Sequence, residues 1–207
     1  LKTLRRKILF KKLDGILFDI DLTIFDRNRF AKDINEKLSK ILKTSFENIN
    51  LEEKNYVSSL KSSSDFNSNT FLKILSKKFD KEFLFLKKVR DDIFNKSYIY
   101  EDFLKLKKFK NFGIFSEGFK YFQLDKLKKT GIYRFFDKSK IFIFRRKLDL
   151  KNLDKISGNY IVIDDRINVC EALQKTKNLF PILIDRAEDK NFSGTKIKSL
   201  LELEEIF

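Results

Sequence analysis

Two aspartates one residue apart, Asp19 and Asp21, with Thr23 two positions on, close the short apolar run Gly15-Ile16-Leu17-Phe18. Residues i and i+2 of a strand share a face, so both carboxylates can point the same way at the strand's carboxyl end. In an open α/β sheet that end is where ligands bind. Two like charges this close are costly unless a cation lies between them or one keeps its proton. Either state is useful chemistry: a carboxylate can attack phosphorus, and a protonated neighbour can supply the leaving group. Asp-x-Asp-x-Thr also opens calcium loops, but the sixth loop position, normally Gly, would be Ile24, and the twelfth, normally Glu, would be Phe30. A strand ending in a polar turn is the plain alternative, and the downstream sequence decides against it.

Elements able to position these groups follow in order. After Thr23, residues from about Arg29 to Lys43 carry Phe30, Ile34, Leu38, Ile41 and Leu42 at helical spacing. Glu52 to Leu60 is a weaker helix. Ser62 to Asn69 reads as a loop, after which Thr70 caps a helix holding Phe71, Leu72, Ile74, Leu75 and Phe79. Further helices are predicted over Lys81–Phe94 and Tyr100–Lys108, with no convincing strand between Asp26 and Tyr98. From Asn111 strand and helix alternate: strand Phe112–Phe115 ending at Ser116, helix Phe119–Lys129 closed by Gly131, strand Ile141–Phe144, then Arg145-Arg146-Lys147 and a short helix near Leu150–Ile156. Strand Tyr160–Ile163 ends at Asp164-Asp165, helix Asn168–Lys177 follows, Pro181–Asp185 is the last predicted strand and Ile197–Ile206 a closing helix. Such alternation predicts an α/β fold with a doubly wound parallel sheet, interrupted by a helical insertion.

Composition narrows the chemistry. The 207 residues allow one good core and a small appended lobe, and 24 Phe among them suit a globular chain. Net charge is +15, from 45 Lys and Arg against 30 Asp and Glu. That suits nucleic acid, an anionic membrane face or phosphorylated small molecules. The lysines are spread rather than blocked, however, and Pro, Trp, Met and His are scarce or absent. Solvated faces and a general compositional bias are therefore favoured over a nucleic-acid patch. The lack of histidine excludes His-based triads and His metal sites, leaving Asp, Glu, Lys, Ser and Thr to do any chemistry. A single cysteine, Cys170, excludes an internal disulfide and suits a reducing, cytoplasmic setting. Leu1 to Lys12 hold only Ile8-Leu9-Phe10 as an apolar run, too short for a signal-peptide core or a membrane span, so no membrane partner is expected. With Leu at position 1 and no Met, the true start is either missing or uses an unusual codon.

Four predicted strand ends thus carry Asp19/Asp21, Ser116, Arg145-Arg146-Lys147 and Asp164/Asp165. With ILFDIDLT, GIFS, a Lys before a helix, and IVIDDRINVCEAL followed by PILIDR, nearly the whole chain resembles the haloacid dehalogenase-like superfamily of hydrolases, most of which are phosphatases. The resemblance implies a Rossmann-like core of residues 1–25 and 106–207 and a small α-helical cap of residues 26–105. It implies Asp19 as nucleophile forming an aspartyl-phosphate, and Asp21 as general acid and then base. Thr23 and Ser116 would hold phosphate oxygens, Glu117 and Gly118 would also bind substrate, and Lys147 would neutralise the phosphate. Mg²⁺ would be held by Asp19, Asp21, Asp164 and Asp165. In so lysine-rich a chain, Lys140 and Lys151 stand as alternatives to Lys147. Three positions depart from the family's usual pattern: Leu22 for Gly or Asn, Val169 where many members have a further acid, and Leu148 where Pro commonly follows the Lys.

Asp21 separates phosphatases from true dehalogenases, which need no proton for a halide and lack this acid and the metal. The expected activity is therefore Mg²⁺-dependent phosphomonoester hydrolysis of a small metabolite such as a phosphosugar, a phosphoglycolate-like acid or a nucleotide. A phosphomutase using the same intermediate is the near alternative. A catalytically inactive relative holding RNA or another polyanion is the distant one. Substrate identity and oligomeric state are not encoded in any motif.

Overall fold

The computed structural model describes residues 12–106 and 111–206. The basic start of the chain and the end of the helix predicted to reach Lys108 lie outside them. Six strands form one parallel sheet in the order β3-β2-β1-β4-β5-β6. They span Gly15–Phe18 (β1), Phe112–Glu117 (β2), Phe136–Phe144 (β3), Tyr160–Asp164 (β4), Leu179–Ile184 (β5) and Lys196–Ile197 (β6).

The central strands are continuous apolar runs because both faces are covered. Leu17, Phe115, Val162 and Tyr160 pack on one face with Val169 and Leu173, while Ile16, Phe18, Ile114, Ile161 and Ile163 pack on the other. Phe18 meets Phe103 and Phe112 edge to face, at ring distances of 5.4 and 5.1 Å. Gly113 lets β1, β2 and β3 approach: a Cβ there would lie 2.5 Å from Leu17 Cδ2 and 2.6 Å from the Lys140 carbonyl oxygen.

Helices α1 (Arg27–Leu42), α2 (Phe46–Ser58), α3 (Ser68–Lys78) and α4 (Phe83–Ile93) lie between β1 and β2. α1 buries Phe30, Ile34, Leu38 and Leu42, a stripe at four-residue spacing, and Asp26 caps it by accepting from the Arg29 N–H. α2 begins six residues ahead of the predicted Glu52, because Ser45 caps it through the Asn48 N–H. α3 is capped by Asn67, which accepts from Asn69 and Thr70, so Thr70 lies inside the helix rather than at its cap. The insertion leaves and rejoins the sheet through a two-strand neck, where Asp26 N–H donates to the Tyr98 carbonyl at 2.8 Å and Tyr100 N–H to that of Ile24 at 3.0 Å.

Past the neck, α5 (Glu101–Lys105) sets Phe103 against the sheet. α6 (Lys120–Lys129), α7 (Leu150–Leu153) and α8 (Ile167–Leu173) are the crossover helices. The last predicted elements need correction. Pro181–Asp185 does not hold the final strand: Ile197 pairs with Ile184 in β6. The expected helix over Ile197–Ile206 shrinks to a 3-10 turn, Leu200–Glu202, and α9 (Leu203–Ile206). A reciprocal cap between Ser199 and Glu202 starts that turn, while Leu200 and Leu203 reach the core. Among the described residues no helix is long and apolar enough to cross a membrane.

Candidate active site

The strand order reverses at β1, which has β2 on one side and β4 on the other, and ligands bind at such a switch point. Parallel register lines up the three carboxyl ends: Phe18 lies opposite both Ile114 and Ile163, and the Asp19 N–H donates to the Ile163 carbonyl at 2.9 Å. Asp19 is therefore fixed beside Asp164 by backbone pairing before any side chain acts.

Lys147, fully buried, reaches in from the loop after β3. Its ammonium donates to Asp19 Oδ1 at 2.8 Å, to Asp164 Oδ2 and to the Phe115 carbonyl at 3.4 Å. Burial alone would strip its proton; Asp164 and Asp19 outweigh that and hold the ammonium above the ordinary lysine range. The alternatives are elsewhere: Lys140 donates to the Asp14 carbonyl at 2.9 Å, ahead of β1, and Lys151 is exposed on α7. The neighbouring basic residues turn outward, and both Arg145 and Arg146 bond Asp65 in the insertion, Arg146 at 2.7 Å.

Asp19, Asp21, Glu117, Gly118 and Asp165 line a cavity of about 590 Å³ between the sheet edge and the inserted helices. Gly118 turns the backbone with φ +138°, a conformation that favours glycine. Thr23 and Ser116 do not reach the cavity wall. Both are buried, and their hydroxyls have no hydrogen-bond partner among the described residues. Asp164 is wholly buried behind Asp19, where Lys147 holds it and the Arg166 N–H donates to its Oδ1 at 3.0 Å.

The sequence reading passed over Lys126. It lies on α6, nearly buried, and donates to both oxygens of Asp21 at 2.6 and 2.7 Å, with Gln123 Nε2 adding a third contact at 3.2 Å. The ammonium also sits 4.8 Å from the Phe122 ring centroid and 5.4 Å from that of Phe25. Its signal was readable in retrospect: Lys126 falls one helical turn after Phe122, on the stripe that faces the core. Burial raises the Asp21 carboxyl, but the charge and hydrogen bonds of Lys126, with Arg27 and Gln123, together outweigh this and hold it below the usual carboxylate range.

The four carboxylates expected to share one ion are not gathered as placed, and among the described residues no group of three or more potential ligands converges. Lysines engage Asp21 and Asp164. Asp19 and Asp165 remain as hard oxygen donors on the cavity wall; Lys147 bonds Asp19 through Oδ1 alone, and burial outweighs the cations near both carboxyls. Burial raises Asp165, with Asp164 adding to it. Burial, offset in part by Lys147 and reinforced by Asp164 and Asp165, pushes Asp19 from an ordinary 3.8 to about 7. That donor set fits Mg²⁺, which takes one or two carboxylates and keeps waters and substrate oxygens for the rest. Val169 is fully buried against the sheet.

Two measurable consequences arise from this geometry. A carboxyl raised in the fold contributes stability that is complete below about pH 4 and is lost as pH rises through about 7. Asp19→Asn stays neutral throughout, so the metal-free variant is expected to gain on wild type from pH 4 to pH 8, by on the order of 4 kcal/mol. Paired melting curves check this, and a constant difference across that range would remove the burial argument. The second concerns Leu22, which sits in the left-handed region at φ 61° on the turn between Asp21 and Thr23. Leu22→Gly is expected to raise stability by up to about 1 kcal/mol, read as a higher melting temperature.

No family model matches the sequence, and no curated protein matches it. Solved structures do match, and the fold they share with this chain is that of the haloacid dehalogenase-like hydrolases. A protein of Burkholderia xenovorans LB400 assigned to those hydrolases aligns over 92% of this chain and 94% of its own, with a TM-score of 0.68 and 17% identity. The Bacillus subtilis protein YfnB, assigned as a hydrolase of the same group and bound to magnesium in its crystal, aligns over 95% and 99%, at 0.64 and 16%. A phosphatase of this group from Thermococcus onnurineus aligns over 94% and 97%, at 0.60 and 23%. At these identities the likeness defines the fold.

Proposed function

We propose that the chain is a Mg²⁺-dependent phosphomonoesterase that works through an aspartyl-phosphate on Asp19. The observation that carries this reading is the Asp19–Lys147–Asp164 bridge at the carboxyl end of β1, with Asp19 and Asp165 open to the cavity. Phosphoryl transfer needs positioning and charge neutralisation more than elaborate covalent chemistry, and this arrangement offers both.

Asp19 attacks phosphorus, the bond to the leaving oxygen breaks, and Asp21 gives that oxygen its proton. Water then attacks phosphorus, Asp21 takes its proton, the P–O bond to Asp19 breaks, and inorganic phosphate leaves with the Asp19 carboxylate restored. Lys147 fixes the Asp19 carboxylate and offsets charge building on it. Lys126 favours the ionised Asp21 of the second half-reaction, so the first half requires that contact to loosen as substrate enters. Mg²⁺, held by Asp19 and Asp165, would neutralise the phosphoryl oxygens that otherwise repel the nucleophile. The helical insertion acts as a cap: it roofs the cavity, and its Asp65 fastens it to Arg145 and Arg146 at the rim.

The test is phosphate release from an aryl phosphate with Mg²⁺ and with chelator. Turnover is expected with the ion and not without it. Accumulation of free phosphate separates hydrolysis from transfer to a second substrate site, as a mutase would perform. No release under either condition would end the proposal.

A further inference from the structure

The distant part of the cavity carries information about what is attached to the phosphate. Away from Asp19 its walls are Phe30, Ile34 and Leu38 of α1, Phe71 of α3, and Phe119 and Phe122 from the sheet side. The cations on that wall are already engaged. Arg90 donates through Nε and Nη2 to Asp91, and through Nη1 to Ser68 and Asn69. Lys126 is held by Asp21, and Arg166 by Glu117 and Asp164. Arg27 is exposed at the neck, where its charge acts on Asp21, so it belongs to the phosphate end. The distant polar pair is Asn35 and Glu53, bonded to each other at 2.6 Å, and its formal charge is negative.

We infer that the substrate is the phosphate ester of an uncharged, mainly apolar alcohol, alkyl or aryl, whose body fills the aromatic and aliphatic space between α1, α3 and the start of α6. A sugar would set part of its hydroxyls against phenyl and isobutyl groups. The polar groups of that part of the lining, Asn35, Glu53, Ser68 and Arg90, already bond one another or their neighbours, which makes burial of a sugar costly in a closed site. A second carboxylate would meet Glu53, and the described cations on that distant wall are already paired. A cavity of about 590 Å³ is ample for a body larger than the phosphate itself. This deepens the phosphomonoesterase reading and rests on it for turnover, though not for binding.

Alkylphosphonates test the inference without hydrolysis. On the Mg²⁺-loaded protein, calorimetry from ethyl- to octylphosphonate is expected to show affinity rising about three- to fourfold per methylene until the space is full. Each ligand should compete with inorganic phosphate. Ala31→Leu, which narrows the α1 wall, is expected to cut the gain for the longest members, with its melting temperature confirming that it folds. In turnover, hexyl and naphthyl phosphates should exceed glucose 6-phosphate and phosphoglycolate in kcat/KM on the order of 100-fold. A flat phosphonate series, a preference for the polar esters, or a folded Ala31→Leu protein with an unchanged series would overturn the inference. A steep phosphonate series with no ester hydrolysed would leave it standing and remove the phosphomonoesterase reading instead.

Discussion

Asp19→Asn is expected to abolish Mg²⁺-dependent phosphate release, lowering kcat by at least about 10⁴-fold. The amide is nearly isosteric with the carboxyl, and the Asp19 N–H bond to the Ile163 carbonyl depends on backbone alone, so the fold has no reason to move. What changes is chemical: a neutral amide oxygen is a poor nucleophile toward phosphorus. It also offers the ion one formal charge less. Stopped turnover together with the improved metal-free stability at high pH described above would separate a lost nucleophile from a damaged fold. Residual activity within tenfold of wild type would show that Asp19 is not the attacking group, whatever its position.

Lys147→Met has the largest expected effect on stability. Met matches the length of the lysine stem but leaves Asp19 and Asp164 buried side by side without their shared cation. Removing one partner of a buried ionic group costs about 3–5 kcal/mol, which for a chain of this size lowers the melting temperature by roughly 10 °C. Two carboxylates so close cannot both ionise cheaply, so the deficit should shrink as pH falls toward about 7, where Asp19 holds a proton. Added Mg²⁺ should also recover part of it, since a divalent ion can stand in for the lost charge. Turnover should fall with the stability, because the charge that offsets the Asp19 carboxylate is gone. A loss of under 2 °C, insensitive to pH and to Mg²⁺, would mean that Lys147 is peripheral to the site.

Much of this was written in local pattern. β1, β2, β4 and β5 are visible as short apolar runs because each is buried on both faces, and burial on both faces suppresses polar residues. The first half of β3 escaped because it forms the sheet's edge: Asp137, Lys138 and Ser139 are exposed, and charged residues there guard against further pairing. β6 escaped because two residues, one exposed, make no pattern. The helical insertion was legible in outline because its amphipathic stripes repeat, while its helix starts shifted with caps such as Ser45 and Asn67.

By itself the sequence determined which residue types stand at the strand ends, and in what order, because apolar periodicity and adjacent carboxylates are properties of neighbours along the chain. Only the tertiary structure decided which charges meet. It chose Lys147 over Lys140 and Lys151, gave Asp21 to Lys126 across 105 positions, and set Asp19 and Asp165 on the same cavity wall. The physical reason is that ionic pairing depends on separation and burial in space, and a lysine's position along the chain does not reveal which carboxylate its flexible stem can reach.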